Sequence, residues 1–418
     1  MKKTTVWAAI ALTMMATATT GCSLDNDNDG EESRFVICPT TRDLTRGELE
    51  MVNHSNEFAF NLFHTAQDEK KSQILSPISI TYALGMLNNG AGGETQEQIN
   101  KVLGFGDTGA DSINVFCYKM LKIAPTLDPL TKVMIANTIY MNKDYVLKQE
   151  FVEKANAFYN AKPETRDFHD GKTINVINQW ASDHTEQMIT EVLDEDSFNP
   201  DAVSYLLNAI YFKGSWTSKF DKAETVSEIF EHAGPDKNLV MPPMMHQQAS
   251  FDYGETADYQ ALRLPYGNGS FVMTVLLPKA QTNAVPTVPT AETWQQLNQR
   301  MHGCTVDVKL PRFETTTNID LKAIMTALGM PNAFDYQKAD FSNFCNTPTY
   351  IGLMKQVAKI KLDEEGTEAA AVTVIGMDNG EMTGGPSIVT FHANHPFLYV
   401  ISEKQTGAVF FIGQYTGC

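Results

Sequence analysis

The sequence predicts one large α+β domain with several β-sheets, on three observations. Residues 207–216 (LNAIYFKGSW) form an apolar, aromatic run that only a sheet covered on both faces can accommodate. Strand-like alternation at 306–311 and 358–362 stands beside helix-like amphipathic runs at 53–64 and 76–87. The roughly 370 residues beyond position 45 carry no internal repeat, second linker or low-complexity break, so one domain fits better than two.

The chain opens with a targeting segment that takes no part in the fold. Lys2 and Lys3 precede an apolar stretch, 6–15, too short for a stable membrane span. Thr19-Thr20-Gly21-Cys22 follows and resembles a bacterial lipoprotein box, although that pattern prefers Leu where Thr19 stands. The resemblance implies a signal peptide over 1–21 and a lipid on Cys22, with a plain secretory signal as the alternative. Residues 22–45 read as an acidic tether, and 46–418 as the folded domain. An acidic run directly after the Cys is similar to the surface-export signal of Bacteroidetes lipoproteins. The expected location is therefore the exposed face of the outer membrane, reached through a lipid anchor; secreted or periplasmic is the alternative.

Within the domain, Phe58, Phe60, Leu62 and Phe63 mark a first helix. Ser76 is placed to cap a second, with Pro77 in its first turn, ending at 89–93 (NGAGG). That Gly-rich stretch has no following Lys and no preceding strand, which excludes a phosphate loop. Thr95 with Gln98 reads as a capping box for the next helix. Residues 264–267 read as a turn and 271–278 as a buried strand. Residues 306–311 read as an exposed-edge strand, 318–328 as a helix, and 408–412 as the last strand.

The stretch 364–371 (EEGTEAAA) organises the rest. A half-buried strand, 358–362, leads into it, and the β-prone residues 372–375 follow. Gly376, Gly380, Gly384, Gly385 and Pro386 then suggest an exposed connection. On an inserted strand, Thr367, Ala369, Ala371 and Thr373 would share one face. All four are small enough to slide into a packed sheet, and Glu368 would face water.

This octet resembles the reactive-loop hinge of inhibitory serpins, comprising Glu364, Glu365, Gly366, Thr367, Glu368, Ala369, Ala370 and Ala371. The stretches 76–99, 136–140, 177–180, 207–216 with Phe220, and 391–398 are also similar to serpin signatures, so the resemblance covers about residues 50–416. It implies the serpin fold: three β-sheets, eight or nine helices and an exposed reactive-centre loop. It also implies a polar shutter under the sheet containing Ser76, Ser79 and Asn208, with Gln356 where the family often has a His. Trp216 would be the aromatic at the breach, where the hinge enters.

The function implied is suicide inhibition of serine, or alternatively cysteine, endopeptidases. The protease would form its acyl-enzyme on the loop and be trapped as the hinge enters the large sheet. No residue of this chain acts as a catalyst in that scheme, and no cofactor is called for. Two other classes stay open: a non-inhibitory serpin for binding or carriage, and an unrelated surface-binding lipoprotein. Small residues at 367, 369 and 371 favour the inhibitor. The reactive bond is read as Met382–Thr383, with Gly380–Glu381 as the alternative counted from the hinge. Gly366 and Pro396 are 30 residues apart (396 − 366), several more than in the family. Met382 favours elastase-like or chymotrypsin-like targets in a covalent complex with a single copy of this chain.

Composition narrows the partners. A net charge of -18 speaks against nucleic-acid and heparin-like ligands. Beyond Cys22, Cys38, Cys117, Cys304, Cys345 and Cys418 show no metal or redox spacing; Cys117 and Cys304 read as buried thiols. His392 with His395, and Met241, Met244, Met245 with His246, lack convergent carboxylates or cysteines, so packing outweighs metal binding. No nucleophile-elbow or zincin motif is present.

Overall fold

The computed structural model describes residues 44–106, 109–232, 239–280, 284–367 and 388–417. The lipidation residue Cys22, the hinge residues Glu368, Ala369, Ala370 and Ala371, and both candidate reactive bonds (Met382–Thr383 and Gly380–Glu381) lie outside them.

Among the described residues there are eight helices: α1 (Arg46–Ala66), α2 (Pro77–Asn88), α3 (Gly93–Leu103), α4 (Gly109–Leu127), α5 (Gln149–Tyr159), α6 (Thr173–His184), α7 (Ala291–Arg300) and α8 (Lys322–Leu328). The strands are β1 (Gln73–Leu75), β2 (Thr131–Asn142), β3 (Glu164–Arg166), β4 (Ser204–Ser215), β5 (Val226–Ser227), β6 (Phe230–Glu231), β7 (Leu239–Val240), β8 (Pro243–Glu255), β9 (Tyr259–Tyr266), β10 (Phe271–Pro278), β11 (His302–Pro311), β12 (Phe313–Asp320), β13 (Leu353–Asp363), β14 (Gly366–Thr367), β15 (Val389–His392), β16 (Phe397–Glu403) and β17 (Val409–Tyr415).

They form three sheets. A six-stranded sheet has the order β12-β13-β14-β4-β2-β3, with β13 also paired to β4. A nine-stranded sheet runs β1-β17-β16-β10-β9-β8-β11-β15, with β5 on β8, and β6 and β7 form a small ribbon. None of the described helices is long and apolar enough to cross a membrane.

Local chemistry explains the framework. The Thr45 hydroxyl accepts from the Glu48 amide, and the Glu48 carboxylate accepts from the Thr45 amide, so a capping box starts α1. Every residue of α2 is buried, as suits a helix enclosed on all sides, against β17 of the nine-stranded sheet and β2 and β4 of the six-stranded one. β4 is buried along nearly its whole length, as its unbroken apolar run requires.

Six sequence expectations are corrected. The second helix does begin after Ser76, but the Ser76 side chain makes no cap; its hydroxyl donates to the Phe410 carbonyl. α3 starts at Gly93 behind Gly92, so Thr95 lies inside the first turn and its hydroxyl accepts from the Asp340 amide instead. Residues 264–266 finish β9, and the turn begins at Gly267. The predicted helix 318–328 is strand β12 as far as Asp320, because that stretch pairs with β13, and helix only from Lys322. Strand 306–311 is not an edge: β11 is flanked by β8 and β15, and a partner 83 residues further on was invisible to local alternation (389 − 306). Of the thiols, Cys117 is buried and Cys304 only half-buried.

Candidate functional site

Between β13 and β4 the six-stranded sheet is closed at one end and parted at the other. The two strands pair in parallel from Leu353 opposite Tyr205 to Ala358 opposite Ile210. Past that point β14 stands between them, antiparallel to both. Thr367 is opposite Leu362 on one side and Gly214 on the other, and Gly366 lies between Asp363 and Ser215. The first two small residues of the hinge thus already occupy the head of the sheet.

Each has a specific reason to fit. Gly366 has φ +150°, and a Cβ there would stand 2.7 Å from Ser215 Cα and closer still to the Gly214 carbonyl oxygen. No other residue tolerates both the backbone conformation and that approach. Thr367 is 1% exposed, and its hydroxyl lies 2.7 Å from the Tyr266 hydroxyl. Tyr266 is fully buried and stacks on Trp216 with ring centroids 4.5 Å apart. Trp216 holds the hinge directly: its indole N–H donates to the Asp363 carbonyl at 2.9 Å and its amide to the Glu365 carbonyl at 2.8 Å.

The two glutamates before the glycine are pinned by charge. Glu365 accepts from Lys219 at 2.7 Å and lies 3.2 Å from Lys222. Those lysines, Lys219 foremost, hold its carboxyl below the usual range. Glu364 is almost fully buried, 3.4 Å from the Arg312 guanidinium, and its carbonyl accepts from the Phe220 amide.

Deeper along the sheet, the residues assigned to the shutter come together. The Asn208 amide donates to the Ser79 carbonyl at 3.2 Å, to the Ser79 hydroxyl, and to Asn137 Oδ1 at 2.7 Å. The Gln356 amide donates to Asn208 Oδ1 at 2.6 Å and to the Ser76 carbonyl at 3.0 Å, while Gln356 Oε1 accepts from the Ser76 amide at 3.0 Å. All are buried, and they lie at the level where β4 and β13 are still paired, with Gln356 directly opposite Asn208. Gln356 supplies both a donor and an acceptor, so it fills its place without a titrating group.

Sequence reading missed several members. Asn137 carried the same signal as Asn208, a polar residue inside an apolar strand. Lys219, Lys222 and Arg312 are the basic complement of the Glu364–Glu365 pair, but nothing in their local sequence marks them. Tyr266 was hidden in a stretch read as a turn.

A domain whose large sheet is parted at one end by the segment following its own strand can accept a further strand there. Comparison with known proteins says which class this is. Residues 53–417 match the family described as Serpin (serine protease inhibitor). The chain is 32% identical to Serpin B3 of Homo sapiens over 390 residues, covering 87% of this chain and 98% of that one. Its fold is similar to the crystal structure of the thermophilic serpin Tengpin in the native state, with a TM-score of 0.81, 26% identity, and coverage of 92% of this chain and 97% of that one. A thyroxine-binding globulin complex with thyroxine shares the fold at TM-score 0.77 and 24% identity, covering 88% of this chain and 99% of that one. This chain belongs to the serpin family.

Proposed function

We propose that this chain is a suicide-substrate inhibitor of serine endopeptidases, with cysteine endopeptidases as a further target class. The observation that carries the reading is β14: two small hinge residues seated between β4 and β13, antiparallel to both. Extending that strand would replace a parallel pair with two antiparallel pairs, the more stable arrangement per residue. Each added residue contributes roughly 1 kcal/mol net in backbone hydrogen bonds, so about a dozen release on the order of 10 kcal/mol. A protease that has formed its acyl-enzyme on the loop supplies the cut that frees this energy, and its active site is distorted as the strand is drawn in. The chain itself supplies no acid, base or nucleophile.

The reactive bond we assign is Met382–Thr383, which suits elastase-like and chymotrypsin-like enzymes. Incubation with a panel of such proteases should yield a denaturant-stable complex and release Thr383 to Cys418, 36 residues (418 − 382). A fragment beginning at Glu381 would move the bond to Gly380. Cleavage without any stable complex would assign the chain to the binding or carrier serpins instead. We further assign Cys22 as the site of a lipid anchor on the outer membrane surface. Fatty-acid label should be lost from Cys22→Ala, and label persisting in that variant would exclude the anchor.

A further inference from the structure

Among the described residues, the two most exposed large apolar side chains are Val146 and Tyr336, 71% and 63% exposed. They lie on two loops at one end of the six-stranded sheet, 143–148 after β2 and 335–352 before β13. The loops are joined: Leu147 pairs with Cys345, and the Lys148 amide donates to the Phe344 carbonyl at 2.9 Å. The Tyr336 ring meets Tyr350 edge-on, with centroids 5.9 Å apart. Burial, and after it the neighbouring Tyr336 and Tyr350, push the Tyr145 hydroxyl up, which puts the three tyrosines together. Single apolar residues are scattered over any protein surface, but a trio of partly exposed tyrosines beside a bare valine is a surface made for contact. Tyr brings large area with few rotatable bonds, and it is enriched where a second protein docks.

This is the end to which the parted seam leads. The hydroxyl of Ser204, first residue of β4, donates to the Tyr350 carbonyl at 3.3 Å. The Asn142 amide, at the close of β2, donates to the Val203 carbonyl at 2.9 Å. β14 sets Gly366 opposite Ser215. Carried on one for one, that register would bring Met377 opposite Ser204, eleven residues along each strand (377 − 366, 215 − 204). A protease acylated at Met382 would then hang on 378–382, five residues (382 − 378 + 1) reaching at most ~18 Å. Acylated at Gly380, it would hang on three residues, ~11 Å. A folded domain of about 200 residues has a radius of gyration of ~16 Å, so neither arm lets the enzyme stand clear of this end of the sheet.

We propose that Tyr145, Val146, Tyr336 and Tyr350 form the surface on which the captured protease comes to rest, and that contact with them keeps its active site distorted. The proposal rests on the inhibitor reading and assigns residues to the step that decides how long the complex lasts. Escape from the complex is hydrolysis of the acyl bond. Water adds to the Met382 carbonyl, the bond to the enzyme's nucleophile breaks, and a Met382 carboxylic acid and the enzyme's free hydroxyl or thiol are left. Apolar contact that exists only while the enzyme is pressed against the sheet favours the distorted state and so slows that hydrolysis.

The test uses the full chain and a chymotrypsin-like protease. The covalent complex is isolated, and return of protease activity is followed with the appearance of chain ending at Met382. Val146→Ser combined with Tyr336→Ser removes the two most exposed members without opening the core. Active protease should return about tenfold faster from that complex than from the parent's. The enzyme held by the variant should also resist digestion by a second protease better, which a merely structural role for these residues would not produce. Leu130→Ser, an exposed apolar residue at the hinge end of β2, should match the parent in both. Equal rates of return from parent and paired variant would overturn this surface alone. A free parent that sediments as a dimer, with the paired variant a monomer, would give the face to a second copy and overturn it too. A parent that is cut without forming any complex would overturn the inhibitor reading, and the surface with it.

Discussion

At the scale of single residues, the proposed insertion depends first on Thr367. Its side chain is buried against Tyr266 in the uncut protein, so the hinge is poised with its first inward residue already in place. Thr367→Arg would ask the sheet to bury a cation beside Tyr266 and the stacked Trp216, at a cost of several kcal/mol. The loop's cleavable bond is untouched. Cleavage should proceed at a similar rate while the denaturant-stable complex disappears, as read by gel and by rate of loop cutting. Glu368→Arg, on the face expected to meet water, should retain most complex formation. Gln356 gives a second test at this scale. Gln356→Leu leaves the Ser76 amide and Asn208 Oδ1 without partners, while the Ser76 carbonyl keeps only its bond from the Ile80 amide. Buried unmade bonds cost ~1–3 kcal/mol each, so the variant should lose about 3 kcal/mol, seen as a lower urea midpoint. An unchanged midpoint would mean that the network contributes nothing.

At the scale of elements, β14 is held by charge as well as by fit. Lys219 and Lys222 depress the Glu365 carboxyl, so the stabilisation is fully present above the ordinary carboxylate range. It is lost as the pH falls through that carboxyl's lowered value. Protection of the amides at 364–367, corrected for intrinsic exchange rates, should therefore fall on acidification below that range in the parent. Glu365→Gln should exchange faster than the parent at neutral pH and show no such transition.

How far these elements were legible depended on where their partners lie. The strand 358–362 was readable because burial alternates along it. The strand 207–216 was readable because both faces are covered. Residues 318–320 were misread as helix because strand pairing with 355–357, some 37 residues away (356 − 319), overrides local preference. β11 was misread as an edge for the same kind of reason. The shutter residues Ser76, Ser79, Asn208 and Gln356 came from family resemblance. Tyr266, Lys219, Lys222 and Arg312 join the hinge only through the fold, because charge and aromatic contact across sheets leave no periodic trace in the sequence.

At the scale of the whole molecule, the proposed mechanism requires that the uncut protein hold a sheet one strand short of its most stable arrangement. β4 and β13 pair in parallel over 205–210 and 353–358, and are parted beyond by only two residues. A cut in the loop removes the constraint of chain length and allows an antiparallel strand to fill the seam to its end. The most direct test is the thermal unfolding midpoint before and after one clean proteolytic cut between about residues 376 and 385. On the scale of ~10 kcal/mol released, the midpoint of the cut protein should rise sharply, by tens of degrees, with both fragments still associated. A midpoint that stays where it was after complete cleavage would contradict insertion, and with it the inhibitory mechanism.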